Sequence, residues 1–553
     1  MHSRTTRRST AVAALAAAAT VLGALTACTA PQNGDAVIGI VPAPISAEYP
    51  DAAPFRLETS SRIVATGDGA ADVAERFAEQ VRRATGFELP VVDGGRAASA
   101  DLAFVVTPGS APDGAREGYT LESGADGVRL AADTDEGLFR GTQSLRQLLP
   151  PAIERADATG GAPAGGWTVP AASVADAPRF AYRGAMLDVA RHFFPVEDVL
   201  AYLDAIALLK LDVLHLHLTD DQGWRLEIPS WPELTGVGAS TSVHGDGGGY
   251  YTTDDYRRIV DYAAERFITI VPEIDLPGHT NAALSAYPEL NCDGVAPAPY
   301  EGTEVGFSSL CASAATAEAT DRFLADVTRE VAALTPGPWL NLGGDESLST
   351  STEDYLDLVR RIAAAGAATG KTVIGWHEMG ASRELPPGTI GQYWGFVEPE
   401  DEAVALTRSF VEQGGRVIMS PADVVYLDME YVDAPEGPLG GRLGQDWAKG
   451  PTSLDEAFRW DPAAVVPGLG DDELLGVEAP LWTETIGARS EVEFMAFPRL
   501  LAIAEIAWSP RPDSGVRGDA ELEGFFPRVA AVGRHLDALG IAYHRVRGVP
   551  WVE

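Results

Sequence analysis

Short apolar runs punctuate the whole chain, and their rhythm changes near Pro178. Upstream of it, β-rich runs such as Leu102–Val106 and Gly127–Leu130 mix with helical stretches at 70–85 and 135–149, which predicts a small α+β domain over 40–175. The Gly-, Ala- and Pro-containing stretch 151–170 reads as a surface loop near its end. Downstream, apolar runs at 182–189, 211–218, 267–275, 339–344, 372–376, 389–394, 416–420 and 474–481 predict strands. Between them, amphipathic stretches at 197–210, 253–266, 315–334, 352–369 and 400–414 predict helices. The alternation predicts an α/β chain whose region 176–553 folds as a (β/α)8 TIM barrel. Such a barrel gathers its chemistry just beyond the carboxyl ends of its strands. Asp220, Asp275, Asp345-Glu346, Trp376-His377-Glu378, Trp394 and Trp482-Thr483-Glu484 all follow apolar runs closely.

The N-terminus changes the picture first. Arg4, Arg7 and Arg8 precede an apolar run from Ala11 to Leu25, and Leu25-Thr26-Ala27-Cys28 follows. This order of positive, apolar and small residues predicts a signal peptide over 1–27. Small residues directly before a cysteine resemble the lipobox of bacterial lipoproteins, in which that cysteine is acylated and becomes the mature N-terminus. The resemblance implies lipidation at Cys28, a tether over 28–39, and residence on the extracellular face of the cell membrane; an ordinary cleaved signal is the alternative. The net charge of −39 argues against nucleic acid or an anionic membrane surface as partner, leaving the lipid anchor as the expected membrane contact. Two cysteines remain, Cys292 and Cys311, in a Pro- and Gly-containing stretch. In an exported chain they are a disulfide candidate, with two free thiols as the alternative. Neither stands at metal-ligand spacing from a histidine, so no metal is expected, and no cofactor.

Acidic residues at several strand ends, many tryptophans and no phosphate loop point to carbohydrate chemistry, because aromatic faces stack on sugar C–H surfaces while carboxylates grip hydroxyls. Taken alone, each acid after a strand could be a helix cap. The run Leu342-Gly343-Gly344-Asp345-Glu346 carries more weight: two glycines permit an unusual backbone path just before paired acids. Adjacent carboxylates repel, so one can stay protonated near neutral pH while the other ionises, although a solvated acidic pair is the alternative.

With these motifs the chain resembles glycoside hydrolase family 20, the β-N-acetylhexosaminidase and chitobiase family. The resemblance runs from about 178 to 510 through Leu187-Asp188-Val189-Ala190-Arg191-His192, the run His215 to Arg225, Pro272-Glu273-Ile274-Asp275-Leu276-Pro277-Gly278-His279 and Gly343-Gly344-Asp345-Glu346. It continues through Trp376, Gln392-Tyr393-Trp394, Tyr426-Leu427-Asp428, Trp447, Trp482-Thr483-Glu484 and Pro498-Arg499. The run Gly137 to Leu145 resembles the family's small domain. The resemblance implies an exo-acting, retaining hydrolase of terminal N-acetylglucosamine or N-acetylgalactosamine on N-acetylated oligosaccharides. Glu346 would be the general acid and base, and Asp345 would orient the substrate's 2-acetamido group, whose carbonyl oxygen attacks C1 to form an oxazolinium ion. Tyr426 would hydrogen-bond that carbonyl, with Trp376, Trp394 and Trp447 boxing its methyl group. Arg191, Asp428 and Glu484 would grip hydroxyls, with Trp482 beneath the ring. Asp220, Asp275 and His279 would support Glu346; for Asp275 a purely structural ion network is the alternative.

Two positions depart from the family pattern. Asn341 stands where a histidine is usual, which bears on a local hydrogen bond, and His377 replaces a common acidic or amide residue and is expected to bear on the reducing-end side. Two other readings compete: a barrel glycosidase with an enzyme carboxylate as nucleophile, and a non-catalytic sugar-binding lipoprotein.

Overall fold

A computed structural model describes residues 39–432 and 443–551. The signal peptide, Cys28 and nearly all of the tether expected over 28–39 lie outside the described residues; Gly39 is buried.

The first domain is a seven-stranded mixed sheet in the order Ser46–Glu48, Ala172–Asp176, Tyr119–Gly124, Gly127–Ala132, Leu102–Val106, Ile63–Thr66 and Val91–Asp93. Two helices, Ala70–Thr85 and Asp135–Leu148, pack on it. The second begins where Thr134 accepts from the Gly137 N–H, a side-chain cap for an otherwise orphaned donor. It also ties the sheet domain to the barrel. Fully buried Arg140 pairs with Glu117 and donates to the carbonyl of Phe267 at 2.8 Å. Beside it, buried Lys210 of the barrel donates to Asp176 at 2.8 Å and Tyr119 at 2.9 Å.

The remainder is a closed barrel of eight parallel strands: β1 (Tyr182–Asp188), β2 (Val213–His217), β3 (Thr269–Glu273), β4 (Trp339–Asn341), β5 (Thr372–Trp376), β6 (Ile390–Tyr393), β7 (Val417–Met419) and β8 (Leu474–Ala479). Their near-continuous apolar runs suit strands covered on both faces. Tyr182, Val213, Val271, Ile374, Ile390, Ile418 and Leu475 form a separate cluster of buried strand residues. Higher in the barrel the buried residues become polar. Glu273 bridges His215 at 3.1 Å and His217 at 2.5 Å, and His215 meets Glu478 at 2.9 Å. The expected helices appear as Val196–Leu208, Thr253–Ala264, Ala317–Leu334, Thr352–Ala368 and Asp401–Glu412.

Candidate active site

The loop after β4 is shaped by its glycines. Gly343 has φ +64° and Gly344 φ +110°, and a Cβ on Gly343 would fall 1.7 Å from an Asp275 carboxylate oxygen. Asn341 secures the turn by accepting from the Gly343 N–H at 2.9 Å, and Tyr355 donates to the Gly344 carbonyl at 2.6 Å. Glu346 itself has φ +45°, a left-handed conformation costly for a residue with a Cβ. The turn thereby delivers Asp345 and Glu346 into one pocket of about 390 Å³, with the Glu346 side chain 31% exposed and Asp345 13%.

His279 links the pair to the barrel floor. Its Nε2 lies 3.5 Å from Glu346 and 3.6 Å from Asp345, and its Nδ1 lies 3.2 Å from Asp220. Asp220 also meets His217 Nε2 at 2.8 Å and Arg191 at 2.8 Å. Carboxylates and imidazoles therefore alternate from Glu478 through His215, Glu273, His217, Asp220 and His279 to Glu346. Burial opposes charge on His215, Glu273, His217, Asp220 and His279, but neighbours outweigh it. The His215 pKa is raised to about 9 by Glu478 and Glu273, while His217 and His279 lie well above the usual imidazole range. Asp220 lies well below the usual carboxylate range, held there by Arg191 and His279.

Other acids are pushed the opposite way. Burial, reinforced by Glu378 and Glu346, raises Asp345 to about 7 against the pull of His279. Asp275, with no hydrogen-bond partner on either carboxylate oxygen, is driven well up by burial and then by Asp345. Glu378, raised to about 7 chiefly by burial, accepts from Trp394 Nε1 at 3.0 Å and orients that ring.

Five aromatic residues wall the pocket. The Trp394 and Trp447 rings meet edge to face at 6.0 Å, Tyr426 lies 5.8 Å from Trp447, and the Trp376 and Trp482 rings are 5.9 Å apart. Trp376 is fixed by donating to Glu273 at 2.9 Å. Burial keeps the Tyr426 hydroxyl far above its ordinary pKa, so it remains a neutral donor. Arg191 stacks 4.9 Å above the Trp482 ring. Arg191 Nε, Asp428 Oδ2, Glu484 Oε2 and Asp345 Oδ1 are buried polar atoms without a hydrogen-bond partner in the protein. Such atoms are costly unless a ligand satisfies them.

All thirteen catalytic and sugar-contacting candidates read from the sequence converge on this pocket or the layer beneath it. Cys292 and Cys311 form a disulfide in the neighbouring segment. Three overlapping sets could approach a cation: His217, Glu273 and Asp275; Asp220, Asp275 and His279; and His279, Asp345 and Glu346. In each, the imidazole is held protonated by carboxylates, so a metal would have to displace a stabilised proton. His377 corrects the sequence expectation. It is buried against Tyr393 and Trp394, with ring separations of 5.6 and 5.4 Å, and does not line the pocket. Sequence reading placed Glu378 at a strand end without giving it a role, and missed Thr303, Val305 and Gln445, which line the pocket from loops without a motif.

The catalytic-domain model of glycosyl hydrolase family 20 matches residues 180–511, and the model of that family's domain 2 matches 37–177. A β-N-acetylhexosaminidase of Cellulomonas fimi is 38% identical over 522 residues, spanning 93% of this chain and 97% of that protein. The solved β-N-acetylhexosaminidase of Streptomyces coelicolor aligns at 44% identity and a TM-score of 0.84, covering 93% of this chain and 98% of the other. A mutant β-hexosaminidase of Streptomyces plicatus, solved with its product GlcNAc, aligns at 44% identity and a TM-score of 0.83, covering 93% and 97%. Sequence, fold and pocket agree: the chain belongs to glycoside hydrolase family 20.

Proposed function

We propose that this hydrolase is an exo-acting, retaining β-N-acetylhexosaminidase in which the substrate's acetamido group is the nucleophile. The observation that carries this reading is the pairing of Asp345 and Glu346 in one aromatic pocket with unpartnered Arg191 and Glu484 atoms, beside which lies the unpartnered Asp428 oxygen. Those atoms suit the hydroxyls of a terminal sugar, and a sugar whose hydroxyls they take up carries no preceding residue. Glu346, the more exposed acid, protonates the glycosidic oxygen and afterwards takes a proton from water. Asp345 receives the acetamido N–H and balances the charge that develops there. Tyr426 donates to the acetamido carbonyl as its oxygen closes on C1, while Trp376, Trp394 and Trp447 restrict the group to that approach, which is catalysis by positioning.

The experiment is hydrolysis of paired aryl β-glycosides with and without the 2-acetamido group, together with inhibition by the thiazoline of N-acetylglucosamine. Selective hydrolysis of the acetamido sugar and tight inhibition are expected, since the thiazoline mimics the cyclic intermediate. Activity on aryl β-glucoside alone, or a covalent adduct on an enzyme carboxylate with a 2-fluoro sugar, would select an enzyme nucleophile instead. Export and acylation at Cys28 are part of the same proposal, supported by the order of residues 4–28. Mass spectrometry of the protein from its own cells should find the diacylglyceryl group there; an unmodified residue upstream of Cys28 would refute it.

A further inference from the structure

We propose that Glu273, at the carboxyl end of β3, is a positioning residue for both halves of the reaction: one of its carboxylate oxygens aligns the imidazoles behind Glu346, and the other holds Trp376 in the acetamido wall. The inference rests on the function proposed above and adds the residue that ties its proton transfer to its substrate-held nucleophile.

Strand geometry brings the partners together. Side chains two apart on a strand share a face, so Glu273 points the same way as Val271, His215 and His217 the same way as Val213, and Trp376 the same way as Ile374. Val271, Val213 and Ile374 belong to one cluster of buried strand residues. Their polar partners stand beyond that cluster, towards the carboxyl ends where the pocket lies. The pairing of β2 with β3 sets His217 directly beside Glu273.

Glu273 is fully buried, and three nitrogens meet it. His217 Nδ1 lies 2.5 Å and His215 Nε2 3.1 Å from Oε2, while Trp376 Nε1 donates to Oε1 at 2.9 Å. Burial by itself raises the carboxyl; His217 and His215 outweigh it and hold it below the usual carboxylate range. An ionised carboxylate can only accept, so each neighbour turns an N–H towards it. The second nitrogen of His217 is then aimed at Asp220, 2.8 Å from Nε2. The other Asp220 oxygen meets His279 Nδ1 at 3.2 Å, and His279 Nε2 faces Glu346 at 3.5 Å. The Glu273 charge also reaches Asp275, Asp345 and Tyr182, whose protons it helps to retain.

Trp376 presents its ring to the pocket and its N–H to Glu273, so a single side chain sets both the wall and the direction of the imidazole chain. The floor rests on the same layer, since the Trp482 ring meets His217 edge-on at 4.9 Å. A buried ion cluster contributes little net stability beside apolar residues of similar volume. What the Glu273 charge does is orient the groups it faces.

Two substitutions separate its two duties. Glu273→Gln keeps an acceptor for Trp376 and nearly the same shape, but removes the charge that aligns the imidazoles. Its kcat should fall about tenfold more on the β-1,4-linked disaccharide of N-acetylglucosamine than on the dinitrophenyl β-glycoside, whose leaving group needs little protonation, while inhibition by the thiazoline holds. Glu273→Asp keeps the charge but is too short to span His217 and Trp376 together. It should weaken the thiazoline about tenfold and lower kcat alike on both substrates. Losses equal on both substrates in Glu273→Gln, or a thiazoline unaffected by Glu273→Asp, would reduce Glu273 to a structural ion and overturn the proposal. In the wild type, nitrogen NMR of isotope-labelled histidine should show imidazolium signals that persist to about pH 8. Histidines all neutral there would overturn the proposal without recourse to any variant. Failure of the wild type to hydrolyse any N-acetyl-β-hexosaminide would instead remove the function proposed above, and this role with it.

Discussion

Asp345 is the residue at which burial and function pull hardest against each other. Its carboxyl is raised to about 7 in the unliganded pocket, yet the proposed role needs it ionised. As pH falls through 7 the free enzyme should lose the ionised form, so kcat/KM should decline there. The acidic limb of kcat should lie lower, because a bound acetamido N–H favours the anion. The linked stability has the opposite sign. Between the ordinary Asp value and about 7 the unfolded chain releases its proton before the folded one, so stability falls as pH rises across that interval. Asp345→Asn should therefore melt above the wild type at pH 8, by on the order of 2 kcal/mol, with the gain vanishing near pH 4 while turnover collapses. Coincident melting curves at both pH values would contradict this account. For Glu346→Gln, turnover on oligosaccharides should fall far more than on aryl glycosides whose leaving groups need little protonation. Equal losses would remove Glu346 from the acid role. The paired acids, their glycines and the tryptophans were legible because their chemistry is carried by residue type at a strand end. The left-handed conformation at Glu346 and the supporting role of Glu378 were not, since both follow from loop contacts and burial that no local pattern encodes.

At the level of elements, barrel strands were readable because a strand covered on both faces is written as an uninterrupted apolar run. The boundaries lay within a few residues for β1 to β8. Helix Arg499–Trp508 escaped because all ten of its residues are buried, which erases the polar stripe by which a helix is recognised. Strand Ser46–Glu48 escaped because it is three residues long and exposed. The Cys292–Cys311 bridge closes a loop with a sequence separation of 19. Cys292→Ser/Cys311→Ser should cost about 2–4 kcal/mol of unfolding free energy through loop entropy. Thermal denaturation checks this, and a midpoint equal to the wild type's would show the loop held by its hydrogen bonds alone.

Across the whole molecule, a large excess of acidic residues coexists with a seam of buried cations. Arg140, Arg183 and Lys210 lie between the sheet domain and the barrel, each paired with carboxylates. Removing one partner of a buried pair leaves the other charge unpaired at a cost of about 3–5 kcal/mol. Lys210→Ala strands Asp176 and should lower the thermal midpoint clearly, whereas exposed Arg257→Ala, whose partner Asp254 is also exposed, should change it little. Equal, small effects would mean that apolar packing alone joins the two domains.

The alternating imidazole and carboxylate groups beneath the pocket have a further consequence for the energetics of a reacting sugar. A positive charge that grows and fades within one turnover is usually met by solvent dipoles that must reorient each time. Here the responding charges already face one another in hydrogen bonds and ion pairs of 2.5–3.2 Å from His215 to His279. The medium facing the substrate is therefore nearly rigid, with a small reorganisation energy, and the work of arranging it was completed when the chain folded.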